Sequence, residues 1–295
     1  MGIDRRTDPE VGGIVHLEHF NFEVPDHDLA TVFFMGGLGL TRDPYKRTDH
    51  LNMGVNIGLQ QFHLPRRGNA PPPFDGEVGL IIPDLDAIKT RLERIAWAGH
   101  FDGTPYAYEG LGDTALVTSP FGVRLRLHSP GVLPFTGPLG LAYIDIPAPP
   151  GTAGGIAAFY RELLAAPAEV TAIQGEAAAV VTFGPHQSLN FRERQLDDYD
   201  LFSHHVCLYV TGFNAVRREM EKRNLTGGSG DRDDAFFFTA IADPGSNEVL
   251  LGLNHETRSL HHPDFMRPLV NRWPLESEPF SDQAEIQADR TRTDG

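Results

Sequence analysis

The sequence predicts an α+β fold in which one βαβββ unit is used four times. Three observations carry this reading. Residues 14–26, IVHLEHFNFEVPD, alternate between apolar and polar side chains with the period of a strand, and comparable stretches return about every sixty residues. Each such stretch runs into a turn rich in Pro, Asp or Gly, and then into a segment with apolar residues at helical spacing. Each unit closes on a further strand, and in three of the four a glycine-containing turn leads directly into it.

The first unit opens on HFNFEVPDHDLATVFFMGGL and closes on NIGLQQFHLP. In its opening strand Phe20, Phe22 and Val24 share the apolar face, while His19, Asn21 and Glu23 share the polar one. In its closing strand Leu59, Gln61 and His63 share a face, so the unit holds two histidines near matching strand ends. The second unit opens on EVGLIIPDLDAIKTRLERI and closes on SPFGVRLRLHSP. The third opens on LAYIDIPAPPGTAGGIAAFYRELL and closes on GPHQSLNFRE, and the fourth opens on HHVCLYVTGFNAVRREMEKRNL and closes on DPGSNEVLLGL. Breaker-rich or polar connections separate the units: PRRGNAPPPFD, SPGVLPFTGPL and QLDDYDLFS. The middle connection, near Ser129 to Leu139, reads as a domain boundary. It divides the chain into residues 13–130, with units 13–65 and 76–130, and residues 138–256, with units 138–194 and 203–256. Residues 257–295 form a C-terminal extension, packed on the body as far as Trp273, and then an acidic tail poor in apolar residues that is expected to be disordered.

With 295 residues, 40% of them hydrophobic and 22% charged, the chain is long enough for two globular domains with cores of their own. No run approaches the roughly 18 apolar residues of a membrane span. The start, MGIDRRTDPE, lacks the apolar core of a secretory signal, which points to the cytoplasm. A formal net charge of -15 sets nucleic acid and anionic membranes aside as partners. The single cysteine, Cys207, excludes an internal disulfide and a multi-cysteine zinc site, and reads as a small buried residue. His255-Glu256 is followed by Ser259 where a zinc-protease helix carries its second histidine. GGLGL and GGSGD lack the spacing and flanking strand of phosphate loops, so no nucleotide cofactor is expected.

The four-unit layout and the closing DPGSNEVLLG resemble the vicinal oxygen chelate superfamily, which includes glyoxalase, bleomycin resistance proteins and the type I extradiol ring-cleaving dioxygenases. The resemblance covers about Gly13 to Leu253. It implies two tandem glyoxalase-like domains with concave mixed sheets, each pairing two successive units, together with a small-molecule ligand and a homodimer. It also implies a divalent metal held by up to four side chains, one from the first and one from the last strand of each unit. Carried over residue by residue, those positions fall on His19, His63, Glu77 and Arg126 in the N-terminal half. In the C-terminal half they fall on Leu141, Asn190, His205 and Leu250, leaving His205 alone, with Glu248 on the same strand face as a carboxylate two residues early. His19, His63 and Glu77 make a two-histidine, one-carboxylate set suited to Fe(II), Mn(II), Ni(II) or Zn(II). Arg126 cannot ligate a metal. Either it turns outward to bind an anionic group of the substrate beside a three-ligand metal, or it pairs with Glu77 and leaves that cleft metal-free.

Around the N-terminal metal the resemblance and the strand faces place Glu23 as general base, Arg124 and Arg126 as an anion clamp, and Asn21 and Gln61 as further substrate-binding groups. Tyr143, Tyr209, His205 and Glu248 fall to the second cleft. Three functions compete. The first is a metal-dependent lyase, isomerase or oxygenase acting on a small, oxygen-rich, anionic metabolite in the N-terminal cleft. The second is a metal-free small-molecule binding or resistance protein of the same fold. The third is a ring-cleaving dioxygenase, favoured by length and weakened by Leu141 and Leu250.

Overall fold

The computed structural model describes residues 13–43, 52–68, 74–197, 201–228, 232–267 and 269; the acidic tail and Trp273 lie outside them. The first unit contains β1 (Ile14–Asn21), α1 (His27–Ala30) continued by a π-helical stretch (Thr31–Gly37), β2 (Thr41–Arg42), β3 (Asn52–Ile57) and β4 (Gln60–Pro65). The second contains β5 (Glu77–Ile81), α2 (Leu85–Trp97), β6 (Ala107–Gly110), β7 (Thr114–Thr118) and β8 (Arg124–His128). The third contains β9 (Gly140–Ala148), α3 (Ala153–Leu164), β10 (Ala168–Ile173), β11 (Glu176–Phe183) and β12 (Gln187–Glu193). The fourth contains β13 (Leu201–Val210), α4 (Phe213–Lys222), β14 (Ala235–Ala242) and β15 (Val249–Ser259). Among the described residues, no helix is long and apolar enough to cross a membrane.

Local chemistry sets the helix boundaries. Asp26 caps α1 by accepting from the amides of Asp28 and Leu29, and Asp84 caps α2 by accepting from Ala87. Apolar residues at helical spacing then choose the buried face: Ile88 and Leu92 in α2, Ile156, Phe159, Tyr160 and Leu164 in α3, Val216 and Met220 in α4.

Among the described residues, the strands form two mixed sheets. One has seven strands in the order β14-β15-β13-β1-β4-β3-β2, and the other has eight in the order β10-β11-β12-β9-β5-β8-β7-β6. This corrects the expected division into sequential halves, because the first unit shares its sheet with the fourth, and the second with the third. The joins are antiparallel pairs of opening strands, β1 with β13 and β5 with β9. The connection from β4 to β5 (66–76) and that from β8 to β9 (129–139) are eleven residues each, so length did not distinguish a crossing between sheets from a continuation within one.

The helices lie against the backs of the sheets. Phe34 meets Phe22 and Phe62 at ring separations of 6.3 and 5.6 Å on the seven-stranded sheet, while α3 packs on β10, β11 and β12 of the second sheet and on β14 of the first. Tyr160 ties the two backs together through a 2.6 Å hydrogen bond to Nε2 of His255, whose Nδ1 lies 2.9 Å from the carbonyl of Leu253. Burial pushes the His255 imidazole down to about 3, so it is neutral and structural. Two buried glutamines make a second tie: Gln60 accepts from the Leu141 amide, and Gln187 bonds both backbone groups of Leu17 and the carbonyl of Leu141. With helices covering the backs, the opposite faces carry the polar side chains.

Candidate metal centre

Strand register alone brings the site together. On β1, His19 stands opposite Cys207 of β13 and beside Gln61 of β4, while Asn21 stands opposite His205 and beside His63. Parallel pairing of β13 with β15 then sets Cys207 beside Glu256 and Tyr209 beside Arg258. Paired residues share a sheet face, so His19, His63, His205 and Glu256 converge from four adjacent strands.

Nε2 of His19 lies 3.1 Å from Nε2 of His205 and 3.5 Å from Oε2 of Glu256, and His205 Nε2 is 3.6 Å from the same oxygen. The His63 ring stacks on His19 at a centroid separation of 3.6 Å, and one donor atom from each histidine lies within 4.8 Å of the others. Ligands about 2.1 Å from a divalent ion at tetrahedral or octahedral angles are roughly 3.0–3.4 Å apart, so the His19–His205 separation is that of neighbouring ligands and the Glu256 oxygen lies just beyond it. Burial pushes the His205 imidazole down to about 4, which keeps it neutral at pH 7 as a metal ligand must be. For Glu256, burial pushes the carboxyl up, but hydrogen bonds with His19 and His205 and the charge of Arg258 outweigh it and hold the group well below the usual carboxylate range.

A second layer orients these groups. Glu18 lies 2.8 Å from Nδ1 of His19, leaving Nε2 to face the cluster. Gln61 Oε1 is 3.1 Å from Nε2 of His63, and the Gln61 amide donates to Asp43 and Asn56 at 2.6 Å each. Arg258 donates from Nε to Oε1 of Glu256 at 2.6 Å and from a terminal nitrogen to Glu18 at 2.8 Å, so a single guanidinium joins the carboxylate in the cluster to the carboxylate behind His19. Two buried carboxylates against one guanidinium leave the set net negative when the imidazoles are neutral. A divalent cation would offset that charge, and Glu256 keeps Oε2 on the cluster side. The donor set therefore fits a metal.

The other predicted residues are distributed as follows. Glu77 does not join His19 and His63: it lies on β5 in the eight-stranded sheet, where Arg126 grips it with two bonds of 2.7 and 2.9 Å. Burial raises the Glu77 carboxyl, but the Arg126 hydrogen bonds and charge outweigh that and lower it. Of the two roles weighed for Arg126, the structure shows the salt bridge. Tyr143 adds a 3.0 Å hydrogen bond to Glu77, Arg192 and Asn190 hold Asp145, and Arg124 bonds the Gly76 carbonyl and Asp75. This second face is thus closed by its own ion pairs, and neither Arg124 nor Arg126 lies beside the histidines. Gln61 is fully buried behind His63 and serves as its support, not as a wall of the cleft. Glu23 lies beyond the end of β1 and pairs with Arg67. Glu248 is exposed before β15, Leu141 is core, and Leu250 packs near Gly155 of α3. Tyr209 belongs to the first face, where its hydroxyl accepts from Arg258 and its ring packs on Phe265 at 4.9 Å. His205, assigned from the sequence to the other cleft, is a member of the cluster.

Glu256 is not among the residues expected from the sequence, because the closing motif DPGSNEVLLG lies at the start of the last strand and ends at Gly252. Strict alternation does not recover it either, because β15 has register irregularities against β14 between Val249 and Leu251 and between Gly252 and His255, and Leu250 packs near α3 while Glu256 faces the cluster.

Gly79 shows how tightly the second face is closed. A Cβ there would fall 2.1–2.4 Å from ring atoms of Tyr143. Gly79→Ala is expected to displace that ring and cost about 1–3 kcal/mol. Denaturant unfolding measures this, with metal uptake at the first face unchanged.

No protein-family model matches the sequence, and no curated protein matches it. Solved structures do. A point mutant of glyoxalase I from Zea mays superposes with a TM-score of 0.58 at 12% identity, over 86% of this chain and 96% of that one. Glyoxalase I from Zea mays itself gives 0.55 at 11% identity over 89% and 96%. A Bacillus subtilis protein provisionally assigned as a dioxygenase gives 0.53 at 12% over 94% and 96%. At such identities the likeness shows the fold alone, the glyoxalase-like fold expected from the resemblance to the vicinal oxygen chelate superfamily.

Proposed function

We propose that the chain is a metal-dependent enzyme of this superfamily, acting on a small oxygen-rich metabolite at the face shared by the first and fourth units. The observation that carries the reading is the convergence of His19, His63, His205 and Glu256 at ligand spacing, with Glu18, Gln61 and Arg258 fixing their orientation. Three imidazoles and a carboxylate suit Fe(II), Mn(II), Ni(II) or Zn(II), and a six-coordinate ion would keep two positions for adjacent substrate oxygens. When bound, such an ion supplies Lewis-acid polarisation of those oxygens. The protein's part is to hold four ligands in position and to exclude water behind them: the His19 side chain is fully buried and that of Glu256 nearly so, while the His205 side chain is 20% exposed. The expectation of an anionic substrate rested on Arg124 and Arg126 and does not extend to this face.

The test is metal content by plasma mass spectrometry on protein purified without chelator or affinity nickel. Near-stoichiometric metal in the wild type, lost in His205→Ala, supports the reading. A wild type that takes up none of the four ions on reconstitution contradicts it and leaves a ligand-binding pocket in its place.

A further inference from the structure

Asn21 differs from every other polar residue around the cluster. It stands in register between His63 on one side and His205 on the other, so its Cβ is about 4.5–5.5 Å from that of His205. It is 7% exposed, yet its carboxamide makes no hydrogen bond or ion pair with any described residue. Neither of its amide atoms is sealed from solvent as atoms of Asn56 and Asn190 are, so the carboxamide is open to a ligand atom. The surroundings point the same way. At the far end of the face the opening is blocked: Tyr209 packs on Phe265 and His262, and Arg258 is reached by Asp264 of the C-terminal extension. At the near end His205 is partly exposed and the ring of Phe237 meets it edge-on at 5.7 Å. Asn21, His205 and Phe237 therefore lie together at the end of the face away from that extension.

We propose that Asn21 is a substrate-binding residue, its Nδ2 donating to one of two adjacent oxygens of a ligand whose apolar or aromatic body lies along Phe237. This rests on the reading of the cluster as a metal centre. A donor at this place favours the ligand in its deprotonated form, because a hydrogen bond from a neutral amide strengthens as negative charge develops on the accepting oxygen. It also sorts ligands: a single oxygen, or two oxygens without an apolar body, would forgo one of these contacts.

The experiment uses the full-length chain loaded with Mn(II) or Zn(II) and titrated with 4-nitrocatechol, a vicinal-oxygen probe whose visible absorption shifts on deprotonation and chelation. Metal affinity is measured separately on the same samples. Asn21→Ala is expected to weaken probe binding by about tenfold while leaving metal affinity unchanged. Asn21→Asp, which places an acceptor-only carboxylate there, is expected to weaken the probe further with metal affinity equal or tighter, a divergence that a purely structural role would not produce. Probe affinity in Asn21→Ala equal to that of the wild type overturns the assignment, as does Asn21→Asp binding the probe as well as the wild type. A wild type that holds no metal instead overturns the reading on which the assignment rests.

Discussion

Arg258→Met is expected to lower the thermal midpoint by on the order of 10 °C and to weaken metal binding by about 10–100-fold. Methionine nearly fills the space of the arginine stem but leaves Glu18 and Glu256 facing each other's charge without a cation between them. The Arg258 side chain is 6% exposed, and its bonds to the two carboxylates are 2.8 and 2.6 Å. Removing one member of a buried ion network costs about 3–5 kcal/mol, because the partners remain desolvated and charged. Arg67 provides the contrast: its side chain is 71% exposed and its contact with Glu23 is 3.4 Å, so Arg67→Met should change stability by less than about 1 kcal/mol. Metal affinity falls in Arg258→Met because Oε1 of Glu256 is no longer held, and Glu18 no longer fixes the tautomer of His19. Thermal unfolding with and without added metal measures both effects. The wild type should gain midpoint on loading, and Arg258→Met should gain less at the same metal concentration.

Acid acts on the same network in a definite direction. The carboxyl of Glu256 is depressed in the folded protein, since His19, His205 and Arg258 outweigh its burial. A depressed carboxyl contributes stability that is complete above its unfolded pKa, about 4.3, and is lost as pH falls through the folded value. The network is therefore intact throughout the neutral range.

Much of the fold was legible because it depends on local alternation. The period-2 patterns at 14–26 and in the later openings and closings identified the strands, and the apolar spacing of 85–97 and 153–164 identified two of the helices. Alternation also placed His19, Asn21, His63 and His205 on polar faces. It carried no information on which polar faces meet. The pairing of β1 with β13 joins residues some 190 positions apart, and no local feature distinguishes it from pairing within sequential halves. That ambiguity sent Glu77 into the wrong site and left His205 outside the right one. Glu18 was hidden for a different reason. β1 has register irregularities between Ile14 and His16 and between Leu17 and His19, and these bring a residue adjacent to His19 within reach of both His19 and Arg258. Strict alternation would have assigned it to the opposite face.

The pairing of the first unit with the fourth makes the strongest demand on experiment, because it exchanges one carboxylate for another 179 positions away. Glu256 contributes the oxygen facing His19 and His205, whereas Glu77 is held by Arg126 and Tyr143 in the other sheet. Losing an anionic ligand should cost more than losing an outer-layer partner, so at least about a hundredfold in metal affinity is expected for Glu256→Gln. Glu77→Gln should perturb only the second face. The direct measurement is a metal titration of Glu256→Gln and Glu77→Gln beside the wild type, with folding of each variant verified by circular dichroism. Binding abolished or severely weakened in Glu256→Gln and unchanged in Glu77→Gln is the predicted result. Metal bound normally by Glu256→Gln and lost from Glu77→Gln would contradict it and return the site to the sequential N-terminal half.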